Sequence, residues 1–103
     1  MQEKTYTRAL GEGVRKRHFH RTEKDKVIDF VVQLEVKIEG AWKPVMRYDC
    51  SHDFAHIDRY NMLGEKEREQ LYLTYAECLT QADEDININW EIYRENFLKG
   101  GYP

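Results

Sequence analysis

The stretch VIDFVVQLEVKIE, residues 27–39, decides the fold. Ile28, Phe30, Val32, Leu34, Val36 and Ile38 take the even positions, while Asp29, Gln33, Glu35 and Lys37 take odd ones. Successive side chains of a strand point to opposite faces, so this period of two describes a sheet with one buried face. The same polar residues break the run too often for it to span a bilayer.

Outward from this strand, Glu39-Gly40-Ala41 reads as a tight turn, and residues 42–49 return as the second arm of a hairpin. On that arm Trp42, Met46 and Tyr48 share one parity, and Arg47 and Asp49 the other. Upstream, residues 14–21 have strand character and end in the turn-like RTEKDK. Alternation puts Lys16, His18 and His20 on one face, and Arg15, Arg17, Phe19 and Arg21 on the other. Phe19 is expected in the core. Residues 54–60 read as a further strand, NMLGEKEREQ as a turn with a charged flank, and residues 1–13 as a loose lead-in with room for a short strand.

Past residue 73 the period changes. Thr74 and Glu77 have the spacing of a capping box, in which each side chain satisfies a free backbone N–H. Leu79, Ala82, Ile86, Trp90, Tyr93 and Phe97 then recur at spacings of three and four, the stripe of an amphipathic helix. Gly100-Gly101 can supply a left-handed C-cap. The reading is a single α+β domain, 1–103. A β-meander over 14–60 forms an antiparallel three- to four-stranded sheet, covered on one face by a long C-terminal helix, 75–99.

The 103 residues carry a net charge of −3, unevenly spread. Residues 1–26 hold eight Lys/Arg against four acids, and residues 77–99 hold six acids against two bases. A basic face suits phosphates or an acidic partner; solvated or mutually attracting ends are the plainer reading. The first ten residues, MQEKTYTRAL, lack the apolar run of a signal peptide, so a cytoplasmic protein with no membrane contact is expected. In that compartment Cys50 and Cys78 are expected as free thiols. No phosphate-loop, dinucleotide-binding, nucleophile-elbow or Cys-x-x-Cys motif is present.

All four histidines fall in two short clusters, RKRHFHR (15–21) and HDFAH (52–56). In a meander the start of one strand can approach the end of another, so the clusters can meet. Three chemistries fit them. Imidazole and carboxylate suit a metal. Two histidines and several arginines suit metal-free acid–base cleavage of RNA, with the cations on the phosphate. Pairing of the histidines with Asp49, Asp53, Asp58 and the acidic helix is the structural reading.

The segment RYDCSHDFAHID, residues 47–58, resembles an R-Y-D-x-x-H-x-F-x-H-x-D signature of a family of small uncharacterised prokaryotic proteins. HFHR and VIDFVVQLE before it, and NWEIYRENFL after it, look like the same family. A looser similarity is to TumE-type toxins of toxin–antitoxin systems, matched at Arg47, Tyr48, Asp49, His52 and His56, with Cys50 standing where those toxins have asparagine. This resemblance implies growth inhibition by action on RNA or translation, with a cognate antitoxin protein as partner.

The leading expectation is thus a toxin-type protein acting on RNA, as a metal-independent ribonuclease without cofactor. His20, His52 and His56 are the acid–base candidates, and Asp49 orients a histidine. Arg17, Arg21, Arg47 and His18 are the substrate-binding candidates. Its partners would be RNA, the antitoxin and a second copy of the chain. The alternatives are a non-catalytic module that binds a protein or nucleic acid, and a histidine-ligated metalloprotein.

Overall fold

A computed structural model describes all 103 residues. Six strands precede one helix: β1 (Gln2–Gly11), β2 (Val14–Glu23), β3 (Lys26–Ile38), β4 (Ala41–Asp49), β5 (His56–Tyr60), β6 (Lys66–Gln70) and α1 (Tyr75–Leu98). The strands form one antiparallel sheet in chain order, and α1 packs across β3 and β4. The α+β class and the C-terminal helix are as expected, but the sheet has six strands rather than three to four.

The two extra strands are the edges. β1 lies in the supposed lead-in, and β6 lies in the supposed charged flank, of which only residues 61–65 form the turn. Neither buries enough to leave a hydrophobic signature. All of KEREQ is exposed, and β1 is exposed except at Tyr6 and Leu10. Charge along a free edge discourages pairing with other chains, and here it also masks the strand.

The two-residue turns Lys24-Asp25 and Glu39-Gly40 have positive φ at both positions. That is the turn whose twist matches a hairpin, and at φ +82° Gly40 avoids the strain a Cβ would bring. In β4 the register slips: Leu34 pairs with Met46 but Glu35 with Pro44, leaving Val45 as a bulge. A bulge reverses the parity beyond it. Met46 and Tyr48 face the helix as expected, but Trp42 pairs with Lys37 on the opposite face, under the Arg15 guanidinium at 4.0 Å.

α1 carries both halves of the capping box between Thr74 and Glu77. It ends in a Schellman motif, with Gly101 N–H donating to the Asn96 carbonyl and Gly100 at φ +92°. Cys78, Ala82, Ile86 and Phe97 are buried against Phe30, Val32, Leu34, Met46, Tyr48 and Ile57, with Leu79, Trp90 and Tyr93 packed around them. No helix is long and apolar enough to cross a membrane.

Because this one layer of packing holds helix to sheet, Ile86→Ala should lower unfolding stability by about 2–5 kcal/mol. Ile92→Ala, on the exposed side of the helix, should change it by no more than about 0.5 kcal/mol. Urea unfolding of both variants checks this.

Candidate functional site

Register fixes which side chains share a face. His18 and His20 pair with Val32 and Phe30, the core positions of β3, so both lie under α1. Phe19 pairs with Val31 and Thr5 on the opposite, open face, and is half-buried there rather than in the core. Arg17 and Arg21 share this open face with Phe19. Arg47 and Asp49, opposite Gln33 and Val31, lie there too, as does His56, which pairs with Asp49. His52 is exposed on the loop between β4 and β5, its ring centroid 5.8 Å from that of His56. The two histidine pairs lie on opposite sides of the sheet. One site made from all four is not formed, but Arg17, Arg21, Arg47, Asp49, His52 and His56 remain together.

Across the open face runs a chain of side chains. Arg47 Nε donates to Gln33 Oε1 at 2.6 Å, Gln33 Nε2 donates to Glu35 Oε2 at 2.5 Å, and Arg15 Nε donates to Glu35 Oε1 at 2.6 Å. Arg17 approaches Glu35 only to 3.7 Å, and its side chain is 58% exposed, which leaves it the least committed cation. Arg21 is held by Glu3 at 2.7 Å. A cavity of about 380 Å³ opens here, lined by Thr5, Thr7, Arg17, Phe19, Val31, Gln33 and Arg47, with Tyr6 and His18 completing it.

Beside the cavity, at the β4–β5 end, sits a buried polar cluster. His56 Nε2 lies 2.6 Å from Asp49 Oδ1 and 3.7 Å from Asp58 Oδ2, while Nδ1 lies 3.2 Å from the Phe54 carbonyl. Ser51 donates to Asp49 Oδ1 from both its amide and its hydroxyl, each at 3.1 Å. Arg68 grips Asp58 with two bonds of 2.8 and 3.1 Å. Burial opposes charge on Asp58, but the Arg68 fork outweighs it and holds this carboxyl below its ordinary value. Sequence reasoning missed Gln33 and Glu35, which looked like solvent-facing positions, and Arg68, which sat in the supposed charged flank of a turn.

Under the helix edge a second network forms around His18. Lys16, only 1% exposed, reaches Asp83 at 3.0 Å and Asn87 at 2.9 Å. His18 Nδ1 meets Asp83 Oδ1 at 3.1 Å, and His18 Nε2 meets His20 Nδ1 at 2.7 Å. Tyr6 stacks on His18, centroids 4.5 Å apart. A carboxylate only accepts, so His18 Nδ1 carries the proton in its bond to Asp83, and one proton is shared between His18 Nε2 and His20 Nδ1. Burial, then the neighbouring His18 and Lys4, lower the His20 pKa.

Thiol chemistry is unsupported: burial pushes Cys50 up to about 11 and Cys78 up to about 12, and both are free.

The chain belongs to the family described as a domain of unknown function, DUF7718, whose family model matches residues 1–102. No curated protein and no solved structure gives a match.

A histidine whose pKa is lowered by folding favours the neutral form, so the unfolded chain binds more protons as pH falls below its ordinary 6.5. Stability linked to His20 is present above that pH and lost below it. Urea unfolding at about pH 7.5 and about pH 5.5 should show a smaller acid-side loss for His20→Gln than for the native chain.

Proposed function

We propose that this member of DUF7718 acts on RNA at the open face of its sheet, as the toxin partner of a toxin–antitoxin pair. The observation that carries the reading is the cavity lined by Arg17, Arg47, Phe19 and Gln33 on a face that no helix covers. Single-stranded RNA is commonly held on bare sheet faces, where aromatic rings stack on bases and cations track phosphates. Phe19, under Arg21 at 5.5 Å, and Trp42, under Arg15, supply both groups here. Charge supports the same side: α1 holds Glu77, Asp83, Glu84, Asp85, Glu91 and Glu95 against Arg94 alone, so a polyanion is steered away from the helix. The likeness to TumE-type toxins points to RNA in particular, and an antitoxin that covers this face would silence it.

In this reading Arg17 and Arg47 contact phosphate, Phe19 stacks on a base, and His52 is the solvent-accessible imidazole for proton transfer. His56 is 0% exposed, so it positions its surroundings and does not touch RNA. Arg21, already engaged by Glu3, steers rather than grips. That only one histidine of the open face is accessible also favours a second reading, a module that binds RNA without cutting it, because cleavage through a 2′-hydroxyl uses both a base and an acid.

One set of variants separates the readings. Arg17→Ala/Arg47→Ala should weaken binding of a fluorescent single-stranded RNA by about tenfold or more. It should also flatten the slope of log affinity against log salt by about 0.7 for each phosphate that is no longer neutralised. Phe19→Ala should cost about 1–3 kcal/mol of binding. His52→Ala should keep binding but abolish RNA cleavage and growth inhibition on induction. Native protein that binds RNA without cleaving it selects the binding module. RNA affinity unchanged in the double arginine variant removes both readings.

A further inference from the structure

We propose that Asp49, His56 and Asp58 form a divalent-cation site of imidazole–carboxylate type, suited to Mn²⁺ or Zn²⁺. The three residues are 4%, 0% and 1% exposed, and their ligand atoms lie within 4.8 Å of one another.

The argument starts from the Phe54 carbonyl. A carbonyl only accepts, so His56 Nδ1 carries the proton in that 3.2 Å hydrogen bond. In the neutral ring Nε2 is then a lone pair, and it faces Asp49 Oδ1 at 2.6 Å and Asp58 Oδ2 at 3.7 Å. A lone pair and two carboxylates cannot share a dry pocket unless a positive centre stands among them. Arg68 already offsets Asp58, with Lys66 Nζ 3.8 Å away at the solvent side. Asp49 has no such cation, and its sole ion-pair partner is His56.

Two positive centres qualify, a second proton on the ring or a metal ion. A proton on Nε2 would point along an aligned hydrogen bond to Asp49. Nε2 instead makes no aligned hydrogen bond, although it is fully buried. A metal ion needs no such alignment. Held at about 2.0–2.2 Å from each ligand, it sets neighbouring ligand atoms roughly 2.8–3.6 Å apart, and the two Nε2 distances, 2.6 and 3.7 Å, bracket that spacing. Each ligand also has an outer partner that fixes its direction, as metal ligands usually do. Phe54 holds the ring, Ser51 holds Asp49, and Arg68 holds Asp58.

The site borders the RNA face but does not depend on RNA, and the test is made without it. Tag-free protein purified without chelator is assayed for metal by mass spectrometry. It is then stripped and titrated calorimetrically with Mn²⁺ and with Zn²⁺, and the His56 ring nitrogens are followed by ¹⁵N NMR. The expected result is about one ion per chain, a Zn²⁺-dependent shift at His56 Nε2, and loss of uptake in Asp49→Asn. Ser51→Ala, at an exposed position that removes only an outer donor, should weaken binding by about tenfold, so the test does not hinge on a buried variant folding. A protonated His56 Nε2 with no saturable uptake would overturn the proposal. So would uptake that persists unchanged in Asp49→Asn/Asp58→Asn.

Discussion

One helix covers one face of a six-stranded sheet, and the rest of the molecule follows from that shortage. α1 seals Phe30, Val32, Leu34, Met46 and Ile57 from water. Nothing of comparable size lies on the other face, so its central positions cannot all be apolar without leaving a sticky surface. They are filled mostly by polar side chains that hydrogen-bond one another instead. Arg47, Gln33, Glu35 and Arg15 link β2, β3 and β4, and Asp49, His56, Asp58 and Arg68 link β4, β5 and β6. Buried charges persist only when they are paired and hydrogen-bonded. The open face is therefore rigid and polar in its middle, with spare cations and aromatic rings near the β2 side.

The helix is also too narrow for the sheet it covers. Its core stripe sits over β3 and β4, and beyond it β2 turns Lys16 and His18 toward α1. Asp83 and Asn87 reach across to meet them. These polar ties hold the edge hairpin to the helix where apolar side chains do not extend. The Asp83–His18–His20 chain is sufficiently explained by that role, and its rings turn to the helix side of the sheet, away from Arg17 and Arg47.

The parts of the fold legible in the sequence are those that bury apolar groups at a regular period. The alternation of Ile28 to Ile38 identifies β3, and the Thr74/Glu77 cap with the Leu79-to-Phe97 stripe identifies α1. β1 and β6 carry no such pattern, because an edge strand needs only backbone partners on one side. The bulge at Val45 leaves no mark either, so simple parity carries Trp42 to the wrong face. The split of RKRHFHR into two faces is readable. Which face is covered is not, because Phe19 argues for the wrong one. Histidines can occupy the covered side only through Asp83, 65 positions away from His18 in the chain, and no local pattern reveals a partner at that distance. At the candidate site, Arg47, Asp49 and His56 are legible from spacing, whereas Arg68 is hidden inside an all-polar strand.

The central claim is that the uncovered face of the sheet is the working face. The most direct measurement is an NMR map of the ¹⁵N-labelled chain titrated with a short single-stranded RNA, following backbone amides and arginine Nε groups. The account predicts shifts at Arg17, Phe19, Gln33 and Arg47, with α1 unmoved. Shifts centred on α1 or on His18 and His20, or no saturable shifts at all, would contradict it.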